Sequence, residues 1–291
     1  SGGDLIIDDS TIDHSSATSK QAVNATGGDS VSITDSDFTG PGARNTSAQA
    51  VLSGSIADVT VTGNTFTDSG YFSVSVTGAT SPDISNNTLV DGFDTGINLS
   101  TCTTPVVSYN TISGRTTNGV GIFNTGDSGA IHHNTVSDCD LYGIAVTGTS
   151  NQVYNNTLRD IWNDLEYGSG GLGTGIIVKD TGTTNTITKN TTDTCYLGIQ
   201  IGTTAGTNGD VITFNRVIDS IVNGIDVANQ AASSDAVQIY HNYVRHNPSS
   251  TDNTGHGIDV QSNGVSAIIA NNEVYVGKLA GGSNNCQGIY I

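Results

Sequence analysis

Apolar and polar residues alternate along this chain in runs of three to five, rich in Val, Ile and Thr, with Gly, Asn, Asp and Ser between the runs. Period-two alternation over so few residues predicts short β-strands buried on one face, and the repeating unit contains no helical pattern. The runs recur at a fixed step. Alignment on Asn215 gives the column Asn64, Asn87, Asn110, Asn134, Asn156, Asn190, Asn215, Asn242 and Asn272, with Ser10 and Ser36 in the same place in two earlier copies. Three residues before each stands a β-branched apolar residue, as in Ile84, Val107, Ile131 and Ile212. Two residues after comes another apolar side chain, as in Phe66, Leu89, Val136 and Val217, with Thr192 the polar exception. A further strand reads Gly-Ile-x-Val, as in Gly143-Ile144-Ala145-Val146 and Gly224-Ile225-Asp226-Val227, with Val23, Val51, Val74 and Val120 in looser copies.

A step of about 22 to 25 residues, stretched where loops are inserted, is the signature of a solenoid. A three-residue strand cannot bury its apolar face alone, so each copy needs a like copy above and below it. Stacking then sets equivalent side chains about 4.8 Å apart, joined by parallel main-chain hydrogen bonds. The expected fold is all-β: a three-faced parallel β-helix of about eleven coils, forming one domain over residues 1–291. Asparagine suits the column for two reasons. It tolerates the left-handed backbone of a tight turn, and its amide donates to one neighbour while accepting from the other.

With this asparagine ladder the chain resembles the right-handed parallel β-helix superfamily, the pectate-lyase-like fold. That superfamily includes polysaccharide lyases, polygalacturonases, alginate epimerases and phage tailspikes. The resemblance lies in the repeat and covers nearly the whole chain. It implies an extracellular, cell-surface or virion protein that engages polysaccharide, with tailspike-like glycoside hydrolysis the leading activity. A lyase or epimerase ranks third. The alternative of a different class is a non-catalytic structural or adhesive fibre module whose coils stack end to end. Whether the chain is an enzyme stays open at this point.

Composition narrows the partners. Only nine Lys and Arg stand against 27 Asp and Glu, a net charge of −18, which disfavours nucleic acid and anionic membranes. No apolar run approaches the roughly 18 residues a membrane span requires. Cys102, Cys139, Cys195 and Cys286 lack metal-ligand spacing and read as buried free thiols. No helix precedes Leu5 to cover the first coil and the last stops within a strand at Ile291, so the chain is expected to belong to a longer chain or a homo-oligomer, side by side or end to end.

Three insertions, Ile161 to Thr174, His246 to Gly255 and Gly277 to Gln287, fall at one turn, between the Asn-bearing strand and the Gly-Ile strand. They would wall the outer face of the Gly-Ile sheet, whose outward column is read as Asn98, Gly121, Ala145, Ile177, Gln200, Asp226, Asp259 and Tyr290. Asp226 and Asp259 are the candidate catalytic acids, one raised in pKa. As an alternative the pair offers oxygen ligands to Ca2+, and no other cofactor is expected. His256 joins them, since Gly255-His256-Gly257 resembles a polygalacturonase active-site element, although that family's paired aspartates and its Arg-Ile-Lys are absent here. The loop carrying Trp162, Glu166 and Tyr167 suits stacking on a sugar ring, and Gln200 and Tyr290 complete the expected binding set. The Tyr-Gly-x-Asp-Pro-His element of alginate epimerases is missing, and no cluster of cations awaits a polyuronate. A further column, Asp68, Asp91, Asp138, Asp160 and Asp219, is expected to form turns.

Overall fold

The computed structural model describes residues 3–16, 21–43, 50–53, 56–162, 173–179, 182–202, 209–228, 235–246, 255–261, 266–277 and 287–291. Its elements are all strands, and every strand pairs in parallel with its equivalents one coil away. The first sheet has eleven strands stacked in chain order from Leu5–Asp8 to Ala267–Ala270. The second sheet follows the Asn column and runs from Thr11–Asp13 to Glu273–Val276. The third runs from Val23–Thr26 to Ile289–Tyr290. In two coils one strand turns the corner between second and third sheets without a break, at Thr88–Ser100 and Thr111–Asn124.

The core is the inside of the tube. Ile33, Val61, Ile84, Val107, Ile131, Val153, Ile187, Ile212 and Ile239 stack as one fully buried column. Each such side chain contributes on the order of 2 kcal/mol by leaving water. Phe38 and Phe66 stack with centroids 4.7 Å apart in the second column. Thr192 sits in that column, buried, with its hydroxyl unpartnered among the described residues. Glycine opens the third-sheet strands because the coils approach closely there. A Cβ on Gly143 would lie 2.4 Å from Leu158 and 2.7 Å from the Gly175 carbonyl, and one on Gly224 would lie 2.5 Å from the Gly257 carbonyl.

The asparagine column is a continuous hydrogen-bonded ladder. The backbone N and Nδ2 of Asn110 both donate to Asn134 Oδ1 at 3.0 Å. Asn134 makes the same two bonds to Asn156 Oδ1 at 2.9 Å, and its Nδ2 also donates to the Val107 carbonyl. The pattern holds down to Asn272, and Ser10 and Ser36 continue it upward through Ser36 Oγ and Asn64 Oδ1. The left-handed conformation, however, belongs to the residue before each ladder Asn. Asn86, Tyr109, His133, Asn155, Lys189, Phe214, His241 and Asn271 all have φ between 55° and 58°. The ladder Asn is therefore selected for its amide, and its neighbour absorbs the turn. The aspartate column does form turns, with φ of 54° at Asp68, 48° at Asp91, 53° at Asp138, 55° at Asp160 and 52° at Asp219.

A second ladder joins the third sheet to the first. Asn124 Nδ2 donates to Asn151 Oδ1 at 3.0 Å, and Asn151 N to Asn185 Oδ1 at 2.9 Å. Asn185 N donates to Asp210 Oδ1 at 2.7 Å, and all four side chains are fully buried. Arg115 is a third buried polar feature. Its side chain is wholly enclosed, Nη2 donates to Ser73 Oγ at 2.9 Å, and burial lowers its pKa to about 10. Gly92 makes room for the guanidinium, since a Cβ there would lie 2.2 Å from Nη1. Cys102, Cys139 and Cys195 are buried free thiols, and burial pushes Cys139 and Cys195 up to about 12; Cys286 lies outside the described residues.

Candidate functional site

Three insertions do fall at the turn from second to third sheet, between Ile161 and Thr174, His246 and Ile258, and Val276 and Ile289. The outward column they flank is continuous: Ser75, Asn98, Phe123, Ala145, Ile177, Gln200, Asp226, Asp259, Tyr290. Phe123 occupies the place the sequence reading gave to Gly121. The register matches Ile122, not Val120, to Ile144, and likewise Ala50, not Val51, to Val74. Gly-Val-Gly-Ile at 119–122 offers two frames, and the tube takes the one that lets Gly121 meet the Gly143 carbonyl, 2.6 Å from a would-be Cβ.

The corrected frame exposes an aromatic site. Val120, Ala145 and Ile177 are buried outside the tube, with Phe123, Leu141 and Tyr142 packed on them. Beside them lies a cleft of about 320 Å³ lined by Tyr71, Phe72, Asp94, Thr95, Asn98, Asn118, Val120, Phe123, Leu141, Tyr142 and Lys179. Lys179 Nζ stands 5.0 Å over the Tyr142 ring, a cation–π geometry. The composition gives no hint of this cleft, because its aromatics come from three different coils, one of them on a corner strand.

Further along the same face lie the two aspartates. Asp226 and Asp259 are paired in register, only 3% and 4% exposed, and bridged by two amides. Asn223 Nδ2 donates to Asp226 Oδ1 at 3.1 Å and to Asp259 Oδ2 at 3.0 Å. Gln200 Nε2 donates to Asp226 Oδ2 at 2.9 Å, and Gln261 Nε2 to Asp259 Oδ2 at 3.1 Å and Asp226 Oδ1 at 3.4 Å. Burial, only partly offset by these donors, raises the Asp226 pKa to about 6, and the charge of Asp259 adds to the rise. Asp259 Oδ1 has no partner among the described residues. From Phe123 to Asp226 is four coil steps, roughly 19 Å.

His256 borders the pair. Its backbone N donates to Asn223 Oδ1 at 2.9 Å, and its ring stacks on Tyr290 with centroids 4.7 Å apart. The face thus brings together Gln200, Asp226, Asp259, His256 and Tyr290. Trp162 is 47% exposed, one residue beyond the strand Thr157–Ile161. Glu166 and Tyr167 lie outside the described residues. Among the described residues no three His, Cys, Asp or Glu side chains gather in a metal-binding group.

Residues 1–158 match the family model for the right-handed β-helix region, and the chain belongs to that family. No curated protein matches the sequence. Among solved structures, a double mutant of the periplasmic alginate epimerase AlgG is similar at 14% identity and a TM-score of 0.50, over 99% of this chain and 76% of that one. Pectate lyase Pel9A is similar at 14% identity and a TM-score of 0.46, over 93% and 69% of the two chains. The tailspike of E. coli bacteriophage HK620, solved with a pentasaccharide, is similar at 12% identity and 0.41, over 92% and 54%. At these identities the likeness is one of fold. No helix among the described residues is long and apolar enough to cross a membrane.

Proposed function

We propose that this chain engages polysaccharide on the outer face of its third sheet, outside the cell or on a cell or virion surface. The observation that carries the reading is the aromatic cleft at Phe123 and Tyr142 lying on the same column as the Asp226–Asp259 pair. Aromatic rings with amide, carboxylate and ammonium groups at their margins suit a sugar, which has an apolar face and a polar rim. Asp226, held protonated to about pH 6, is suited to give a proton to a glycosidic oxygen. Asp259, one coil away, then serves as the second carboxylate of a glycoside hydrolase. Both carboxylates bond one amide nitrogen, Asn223 Nδ2, at 3.1 and 3.0 Å, a closeness that suits the roughly 5 to 5.5 Å separation of a retaining pair. Trp162 and Tyr290 extend the binding surface, and His256 orients the far end.

A second reading, a rigid structural or adhesive module in which the aspartates serve the stack, is favoured by their burial under the amides of Gln200, Asn223 and Gln261. A panel of neutral and anionic polysaccharides separates the two. Binding that weakens at least about tenfold in Phe123→Ala, with reducing ends lost in Asp226→Asn, supports the enzyme. Binding that weakens in Phe123→Ala without any release of reducing ends supports a non-catalytic glycan binder. Absence of binding across the panel removes the polysaccharide reading.

A further inference from the structure

The outer edge of the first sheet carries a pair of histidines that no part of the polysaccharide reading uses. His132 ends the strand Ala130–His132 and points outward between Ser108 and Tyr154. His133 follows it at φ 55°. In a regular strand, consecutive side chains point to opposite faces. The left-handed turn cancels that alternation and swings the second imidazole to the side of the first. The two Nδ1 atoms lie 2.9 Å apart, with the ring planes at 89°.

Each ring is also held in place. Tyr154 stacks on His132 with centroids 4.7 Å apart and planes at 22°, and Tyr109 stacks on His133 at 4.8 Å and 13°. Asn155 Nδ2 donates to His133 Nε2 at 3.4 Å, and when Nδ1 holds an ion and Nε2 the proton, the amide turns to present Oδ1 instead. Two sequence neighbours thus present like nitrogen atoms to one point, each gripped by a tyrosine from an adjoining coil.

We propose that His132 and His133 chelate a divalent ion of tetragonal preference, Cu2+ above all, through their Nδ1 atoms. Metal–imidazole bonds run about 2.0–2.1 Å, so two nitrogens at right angles about one ion stand about 2.9 Å apart, and two at a tetrahedral angle about 3.3 Å apart. The two nitrogens now share a hydrogen bond, and its length equals the edge of such a square plane. Tetragonal nitrogen and oxygen sites select Cu2+ and Ni2+, and Cu2+ stands highest in the order of divalent affinities. Water fills the remaining corners. On binding, the rings turn so that the shared hydrogen bond gives way to two lone pairs directed at the ion.

The test titrates the whole chain with CuCl2 and follows nitrogen hyperfine structure by electron paramagnetic resonance. The expected result is one equivalent bound with two coupled imidazole nitrogens. His133→Asn keeps the turn, since Asn86 and Asn155 hold the same position, and His132→Ser matches Ser108 in its own column. Each substitution weakens binding at least about tenfold, because a single imidazole is left. His241→Asn, at the equivalent turn of another coil, leaves the equivalent intact. Wild-type Cu2+ binding in both His132→Ser and His133→Asn overturns the proposal, as does a bound equivalent that is lost in His241→Asn.

Discussion

Replacing Asp226 by Asn isolates the energetic consequence of burying that carboxyl. Its pKa lies at about 6 in the folded chain against 3.8 for an unperturbed aspartate. Between those values the folded chain holds a proton that the unfolded chain has released. Stability therefore falls as pH rises from about 4 to about 6, and is level above that. At about 1.4 kcal/mol per pH unit the loss is about 3 kcal/mol. Asparagine cannot ionise, so the variant lacks this slope. It also alters the bonds from Gln200, Asn223 and Gln261, which shifts its whole curve by a constant. The readout is the denaturation midpoint of both proteins at half-unit steps from pH 4 to pH 8. Wild type should lose at least about 2 kcal/mol relative to Asp226→Asn across that window, the rest of the loss falling below pH 4. A difference that stays flat, or one that grows in favour of wild type as pH rises, would refute the assignment of a buried, proton-holding carboxyl.

Asn134→Ala leaves Asn110 N and the Val107 carbonyl without their partners and should cost at least about 3 kcal/mol, measured by thermal melting; Asn272→Ala, at a half-buried end of the ladder, should cost less. Thr192→Val removes a buried hydroxyl that has no partner among the described residues, within an apolar column, and should stabilise the chain by about 1 kcal/mol in the same assay. Gly224→Ala sets a Cβ against the Gly257 carbonyl and should lower the melting temperature sharply, whereas Gly3→Ala, with nothing within 4 Å among the described residues, should leave it unchanged. Cys102, Cys139 and Cys195 should react with a thiol reagent at pH 8 only after denaturant is added, since each is buried and burial raises its pKa.

The periodic part of the fold was legible because stacking forces equivalent residues into like environments. A column such as Ile84, Val107 and Ile131, or Asn87, Asn110 and Asn134, repeats one physical demand once per coil. What the sequence concealed lies where that demand changes between coils. Arg115 fills an inward position whose neighbours are Gly92 and Cys139, so no column announced it. The second ladder switches from Asn to Asp at position 210, and its steps follow loops of unequal length. Phe123 was hidden by a two-residue ambiguity in a strand that bends around a corner. The acid pair was legible as a pair. Its burial was not, because that depends on amides contributed by Gln200, Asn223 and Gln261 together.

The turn before each ladder asparagine accepts Tyr, His, Lys, Phe and Asn at nearly one backbone angle. The amides beneath enforce the bend, which leaves the side chain above it free to vary. Along the edge of the tube this makes a row of interchangeable posts at even intervals. Chromophores or binding groups grafted onto that row would inherit the rise of the coil as their spacing, without any linker to set it.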